Sequence, residues 1–185
     1  MTIQAYADLL ANQKVLLYPT DTIWGLGGDA TSEPVVDRIF DIKERPAHKS
    51  LIILVKDIEM IQRYTDVDLE IIQDTILQTL HPTTFVVSKV KGLAKSAIAQ
   101  DGTIGFRIPN HAFCQSLLTL FNKPIISTSA NISGIPTPLT FDLIDEAIKN
   151  NVDAIVDAQY DTSEYHQPSR VLRILSDGDF ETIRA

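Results

Sequence analysis

Three basic side chains stand close together in the segment KERPAHK, between a helical pattern and an apolar strand pattern. Pro46 disfavours helical backbone at Arg45, so we expect the helix to end at Glu44. Lys43 would then lie in the last helical turn, with Arg45 and Lys49 in the extended segment after it. Three cations that converge at such a turn would bind phosphate or carboxylate groups. The alternative is a solvated helix C-terminus, where the helix dipole favours cations anyway.

Two arginines lie within strand patterns. Arg107 belongs to the segment TIGFRIP, where a charge among apolar residues is costly unless it is paired or used. We therefore predict that Arg107 binds an anionic group, and the main alternative is an internal ion pair. Arg184 ends a similar segment, where a frayed terminus is the alternative.

Small hydroxyl side chains follow the first apolar strand pattern. The segment YPTDTIWGLGG places Thr20 and Thr22 just before three glycines within four residues, so the backbone there could approach a ligand closely. The alternative is a β-turn-β element with a packed Trp24.

A second apolar strand pattern ends in the same way, in the segment IISTSANISGIPTP. Period-two alternation places Ser127 and Ser129 on one side of the strand end, and Asn131 lies just beyond. These groups suit hydrogen bonds to phosphate, carboxylate or ribose. A plain turn of serine and asparagine is the alternative.

Strand and helix patterns alternate from end to end, which predicts an α/β fold with helices packed on a central sheet. No internal repeat or charge block divides the chain, so we expect one domain over residues 1–185. Helices are predicted over 33–44, 68–80, 112–121 and 141–150. Strands are predicted over 15–18, 51–55, 84–88, 104–108, 124–128, 153–156, 170–174 and 180–184.

Composition limits the class of protein. The 185 residues include 16 basic and 24 acidic side chains, a formal charge of −8 that argues against a non-specific nucleic-acid coat. The single cysteine, Cys114, makes no internal disulfide, and the four histidines lack metal-ligand spacing, so we predict no metal site. The sequence has no leader pattern and no apolar run of about 20 residues. We expect a cytoplasmic protein without a membrane partner.

Taken in order, the motifs YPTDTIWGLGG, KERPAHK, TIGFRIP, STSANISG and Pro168–Ser169 resemble the YrdC-type threonylcarbamoyl-AMP synthase family in its short, single-domain form. The resemblance extends over essentially the whole chain. It implies an open, twisted, mixed α/β sheet flanked by helices, with a concave site lined by basic residues. It also implies a nucleotidyltransferase that condenses L-threonine, bicarbonate and ATP into threonylcarbamoyl-AMP and pyrophosphate. Partner proteins of a transfer complex would then carry the threonylcarbamoyl group to tRNA.

The resemblance also implies roles for individual residues. Catalytic roles fall to Lys43, Arg45, Ser129 and Asn131. ATP would be bound by Arg45, Lys49, Thr103, Ser129, Asn131, Thr137 and Arg184, and Mg²⁺ would arrive with it. Threonine would be bound by Thr22, Arg107, Ser127 and Ser169. The alternative is a non-catalytic paralogue that binds nucleotide or RNA, and weak binding of double-stranded RNA fits either case.

Overall fold

A mixed β-sheet runs through the computed structural model, which describes residues 1–46, 51–70, 73–74, 76, 79, 81–163, 165, 167–175 and 179–185. The strands are β1 (Leu16–Tyr18), β2 (Gly25–Gly27), β3 (Ile52–Leu54), β4 (Thr83–Val87), β5 (Ile104–Arg107), β6 (Ile125–Ser129), β7 (Ala154–Ile155), β8 (Arg170–Ile174) and β9 (Phe180–Arg184). Among these described residues, the order across the sheet is β7-β1-β2-β6-β3-β5-β4-β8-β9. The pairs β1/β7, β3/β5 and β4/β8 are parallel, and the other neighbouring pairs are antiparallel. The predicted mixed α/β sheet is therefore confirmed.

Helices cover both faces of the sheet. They are α1 (Ile3–Ala11), α2 (Glu33–Ile42), α3 (Ile58–Tyr64), α4 (Ala112–Phe121) and α5 (Glu146–Lys149). Along β1, Leu17 belongs to the apolar core that includes α2, whereas Leu16 and Tyr18 belong to the core that includes α1 and α4. Because successive strand side chains point to opposite faces, both faces of β1 are buried. None of the helices in the described ranges is long and apolar enough to cross a bilayer.

The predicted bounds of α4, β8 and β9 agree with the structure, and the other predicted strands differ by one residue at one or both ends. The predicted helix over 141–150 is wrong in part, since it is split into a 3-10 turn, Phe141–Leu143, and the short α5. The predicted helix over 68–80 lies partly outside the described residues. The sequence reading did not predict α1 and α3.

Helix α2 ends two residues earlier than predicted, and the reason is a C-terminal cap. Glu44 adopts left-handed backbone with φ of 48°. The Arg45 amide donates to the Phe40 carbonyl at 3.0 Å, and the Glu44 amide donates to the Asp41 carbonyl at 3.0 Å. These two bonds form a Schellman motif, which closes a helix and reverses the chain. The reversal directs Lys43 and Arg45 to the end of β6.

Strand β2 lies so close to β6 that one of its glycines has no room for a side chain. A Cβ atom on Gly27 would lie 1.8 Å from the Ile126 carbonyl oxygen, whereas one on Gly25 would meet side chains alone, the nearest being the Ser127 hydroxyl at 3.1 Å. A backbone atom cannot move aside as a side chain can. The contact between β2 and β6 therefore requires glycine at position 27.

We predict that Gly27→Ala lowers the free energy of unfolding by about 3 kcal/mol or more, because it forces the backbones of β2 and β6 apart. Gly25→Ala in the same strand is the control, and its effect should stay within about 1 kcal/mol. Urea unfolding of the two variants measures both values. Equal stabilities would contradict this account of the strand contact.

Candidate active site

A cleft opens where the ends of β2, β3, β5 and β6 meet the chain around β8 and β9. Its cavity volume is about 200 Å³. Eight residues predicted from the sequence line it: Thr22, Arg45, Arg107, Ser127, Ser129, Thr137, Ser169 and Arg184. The fold thus brings together groups that lie up to 162 positions apart in the chain, from 22 to 184.

Arg107 both lines this cleft and forms an ion pair inside the protein. Its Nη1 donates to the Asp21 carboxylate, and the two side chains are only 5% and 6% exposed. The second carboxylate oxygen of Asp21 accepts from the Asn110 amide at 3.1 Å. The alternative of an ion pair is therefore correct. It does not exclude ligand binding, because a guanidinium carries five N–H donors and the pair with Asp21 uses only part of them.

Arg184 is held over the cleft from the other side. Its Nε and Nη2 donate to the Ser169 carbonyl at 2.9 and 2.6 Å, and the Ser169 hydroxyl lies 2.8 Å from that of Thr84. The frayed-terminus alternative is wrong, since Arg184 pairs with Val171 in the sheet. Burial lowers the pKa of Arg184, and the nearby charge of Arg107 lowers it further. Because Arg107 and Arg184 carry like charges and lie close enough to affect each other, they favour the binding of an anion.

Arg45 reaches the cleft from the turn after α2. Its Nη1 lies 3.4 Å from the Thr128 hydroxyl, and burial lowers the pKa of its guanidinium. Among the described residues that line the cleft there are three arginines and no Asp or Glu, and Asp21, which pairs with Arg107, is not part of the lining. The lining therefore suits a ligand with several negative charges.

Lys43 occupies a different place from the one predicted. The alternative of a solvated helix end is wrong, because Lys43 is only 2% exposed. Its Nζ donates to the backbone carbonyls of Ser129 and Asn131, the latter at 2.7 Å. Burial, followed by the charge of Arg45, lowers the pKa of Lys43 from 10.5 to about 7. Lys43 thus holds the turn at the end of β6.

Asn131 also serves this turn. Its side-chain carbonyl accepts from the Ser129 hydroxyl at 2.5 Å, and its Nδ2 donates to the carbonyls of Ile132 and Ile135 at 3.0 and 2.7 Å. The plain-turn alternative is therefore correct for Asn131, while Ser129 itself faces the cleft. Thr137, two residues after Ile135, also lines the cleft.

Among the described residues, Thr103 also does not meet the cleft. Thr103 precedes β5, at the end opposite Arg107, and its hydroxyl donates to the Asp101 carboxylate at 2.6 Å. Lys49 lies outside the described residues.

Residues that the sequence reading did not assign also shape the site. Thr20 lines the cleft beside Thr22, and Asp21 between them holds Arg107. The predicted β-turn-β alternative is correct for this segment, since β1 pairs with β2 and Trp24 is buried. A later segment is tied across it, because the Trp24 indole donates to Asp161 at 2.7 Å and the Ser163 hydroxyl donates to the Thr22 carbonyl at 2.9 Å. The motif containing Thr20 and Asp21 was itself the available signal.

The lining indicates what the site can do chemically. Among the described residues that line it there is no His, Cys, Lys, Asp or Glu, so no side chain there is placed to act as a covalent nucleophile of the cysteine type or as a general base. Arginines and hydroxyls remain, and these bind and stabilise negative charge. In the described part of the chain, no group of three or more His, Cys, Asp or Glu could hold a metal ion. Such a site suits a reaction between groups that the substrates bring.

The buried Lys43 should make stability depend on pH. An unfolded chain restores its pKa to 10.5, so between about pH 7 and 10.5 the unfolded state binds more protons than the folded state. Stability should therefore rise with pH in this window and lose this contribution as pH falls towards 7. We predict that the stability of the native protein relative to Lys43→Met increases from pH 7 to pH 9, as measured by urea unfolding. Lys56→Met, at an exposed ion pair, is the control, and a flat difference for Lys43→Met would contradict the assignment.

Comparisons with known proteins agree with this fold. A family model described as Sua5_yciO_yrdC, telomere recombination, matches residues 8–185. The threonylcarbamoyl-AMP synthase of Psychromonas ingrahamii is 32% identical over 155 residues, covering 81% of each chain. That of Pseudoalteromonas translucida is 34% identical over 142 residues, covering 75% of this chain and 76% of the relative.

Among solved structures, P. abyssi Sua5 complexed with L-threonine superposes with a TM-score of 0.87 at 28% identity. The match covers 98% of this chain and 53% of that protein, so this chain spans about half of its length. The family model, the identities and the superposition all extend over most of the chain. The chain therefore belongs to the Sua5/YciO/YrdC family.

Proposed function

We propose that this chain is a threonylcarbamoyl-AMP synthase, a nucleotidyltransferase that condenses L-threonine, bicarbonate and ATP into threonylcarbamoyl-AMP and pyrophosphate. The relatives from Psychromonas and Pseudoalteromonas carry this name, and the structure of P. abyssi Sua5 contains L-threonine. The observation that carries the proposal is the convergence of Arg45, Arg107 and Arg184 with small hydroxyls on one cleft.

The charge of the substrates explains why three arginines are needed. ATP carries about four negative charges, and a carboxylate and a carbamate must come beside it. A chain with a formal charge of −8 would repel these groups without a local concentration of cations. We assign Arg45 and Arg184 to the nucleotide, with Ser129 and Thr137 beside them.

Arg107 suits the carboxylate of threonine. Asp21 fixes one edge of its guanidinium, which leaves the group in one orientation for a planar, two-oxygen partner. The hydroxyls of Thr22, Ser127 and Ser169 line the same cleft and can bind the rest of the amino acid. Orientation of this kind lowers the entropic cost of bringing the reactants together.

In the proposed reaction, the neutral amino nitrogen of threonine forms a bond to the carbon of bicarbonate, one C–O bond of bicarbonate breaks, and water leaves with the proton from nitrogen, which gives a carbamate. A carbamate oxygen then forms a bond to the α-phosphorus of ATP, while the bond from that phosphorus to the bridging oxygen breaks and pyrophosphate leaves. The protein positions these groups and stabilises the charge that moves onto the phosphate oxygens, which is what phosphoryl-type transfer requires. Mg²⁺ would enter as the complex with ATP and be held by its phosphates.

Lys43 and Asn131 take a supporting part in this proposal. They hold the Ser129–Asn131 turn, so they position the Ser129 hydroxyl without facing the ligand themselves. Transfer of the product to tRNA would need partner proteins, and a cytoplasmic location suits a chain that serves tRNA. Weak binding of double-stranded RNA belongs to the same proposal.

The direct test supplies ATP, threonine and ¹⁴C-bicarbonate and measures labelled threonylcarbamoyl-AMP together with pyrophosphate. We expect pyrophosphate release that depends on threonine. Arg45→Ala should lower kcat/KM for ATP by roughly 10- to 100-fold, because a charge-assisted bond contributes about 1.5–3 kcal/mol. Arg38→Ala, which removes an exposed arginine paired with Asp153, is the control and should keep full activity. Tight nucleotide or RNA binding without pyrophosphate release would favour the non-catalytic paralogue instead.

Variants on the two sides of the cleft should change the KM values of different substrates. Arg107→Ala should raise KM for threonine by about tenfold or more with a much smaller effect on KM for ATP, because it removes the cation assigned to the carboxylate. Arg184→Ala should show the opposite pattern. Initial rates with one substrate varied at a time give both constants, and a reversed pattern would mean that the two substrates occupy exchanged positions.

A further inference from the structure

Two hydroxyl groups at the start of the cleft form a hydrogen-bond network that the proposed function leaves unexplained. Thr20 and Thr22 are 1% and 4% exposed, and both line the cleft. The Thr20 Oγ1 lies 2.8 Å from the Ile23 carbonyl, 3.1 Å from the Thr22 amide and 2.9 Å from the Thr22 Oγ1. One hydroxyl therefore takes part in three contacts.

The number of protons fixes the direction of each bond. A carbonyl cannot donate, so Thr20 must give its single hydroxyl proton to Ile23. The Thr22 amide can only donate, so it occupies one lone pair of Thr20. The contact between the two hydroxyls can then form only if Thr22 donates its proton to Thr20. With its proton directed away, the Thr22 hydroxyl has only lone pairs left to offer a ligand.

We propose that the Thr22 hydroxyl accepts a hydrogen bond from a donor on the bound amino acid. Thr20 is the positioning residue that makes the Thr22 hydroxyl an acceptor towards the ligand. The inference rests on the proposed function, since it concerns the threonine side of the same cleft. Threonine has two donors of the required kind, its amino N–H and its side-chain hydroxyl.

The neighbouring residues favour one orientation of the bound amino acid. Arg107 offers only donors and Thr22 offers only acceptors, and Asp21 links the two through its ion pair with Arg107. An amino acid with its carboxylate on Arg107 presents a donor to Thr22. A reversed amino acid would place an oxygen anion against lone pairs and an ammonium group against a guanidinium. The Thr22 hydroxyl is held by its own contact with Thr20 Oγ1 at 2.9 Å, and the Ser163 hydroxyl contacts the Thr22 backbone carbonyl at 2.9 Å.

The test is a binding cycle with ligands that lack one donor each. Isothermal titration calorimetry gives the dissociation constants of threonine, 2-aminobutanoate, which lacks the hydroxyl, and 3-hydroxybutanoate, which lacks the amine. Thr20→Val removes the positioning hydroxyl at constant shape, and Thr20→Ser retains it as the control. We expect Thr20→Val to weaken threonine binding by roughly fivefold, the effect of one hydrogen bond, and Thr20→Ser to change it by less than about twofold.

The decisive result is the dependence on the ligand. The loss in Thr20→Val should vanish for the analogue that lacks the donor read by Thr22 and persist for the other analogue, since a coupling appears only when both partners are present. An equal loss for all three ligands would indicate a structural defect and overturn the inference, as would no loss for threonine.

A second variant keeps the test decisive if Thr20→Val does not fold. Thr22→Val removes the acceptor itself, with Thr22→Ser as its control, and should show the same dependence on the ligand. Equal losses for all ligands would again overturn the inference. Failure of the unaltered protein to bind threonine is a different outcome, because it would overturn the proposed function and this inference with it.

Discussion

Burial of cations beside one another is the constraint on which the site depends, because each buried charge loses the stabilisation of water. The fold meets this cost by holding each cation with oxygen atoms from a distant segment. Arg107 receives the carboxylate of Asp21, Arg184 the carbonyl of Ser169, and Lys43 the carbonyls of Ser129 and Asn131. Only the first of these partners carries a full negative charge. The lowered pKa values of Lys43 and Arg184 are the electrostatic sign of the imbalance, which an incoming polyanion would relieve.

The same contacts explain how the strand ends are brought into one arrangement. The Schellman motif at Glu44 reverses the chain after α2, and Lys43 then fastens that reversal to the turn after β6. On the other side, Arg184 of β9 fastens to Ser169, which precedes β8. Since Gly27 allows β2 to approach β6 closely, the strand ends lie near enough to share a cleft. Loss of any one of these connections would separate groups that must act on the same ligand.

Much of the fold follows from the sequence, because apolar periodicity fixes where a buried strand or helix lies. The bounds of α4, β8 and β9 were predictable in this way. Helix α1 was not predicted, although Thr2 caps it and Tyr6 and Leu10 share one buried face, which was a usable signal. The split of the helix predicted over 141–150 also had a usable signal, since the Asp145 carboxylate caps α5 by accepting from the Ala147 amide at 2.8 Å, although the apolar spacing continues through it.

Prediction of the site was limited for a different reason. Eight assigned side chains reach the cleft, four of them on strands (Arg107, Ser127, Ser129 and Arg184) and four in connecting segments. Spacing does not say which element a long side chain will meet. Lys43 therefore turned out to be buried against two carbonyls, and the hydroxyl of Thr103 is bound by Asp101 at the far end of β5. Asp21 escaped assignment because its role exists only through Arg107, 86 positions away.

Three consecutive residues, Thr20, Asp21 and Thr22, determine which groups on this side of the site donate hydrogen bonds and which accept them. The carboxylate of Asp21 orients the donors of Arg107, while the hydroxyl of Thr20 turns the proton of Thr22 away from the cleft. Adjacent side chains thus prepare a donor and an acceptor for opposite ends of one ligand. The hydrogen bonds of Thr20 and the ion pair of Asp21 hold these groups in place in the structure. Groups held in place in this way do not have to be ordered by the ligand, so more of the interaction energy remains for binding.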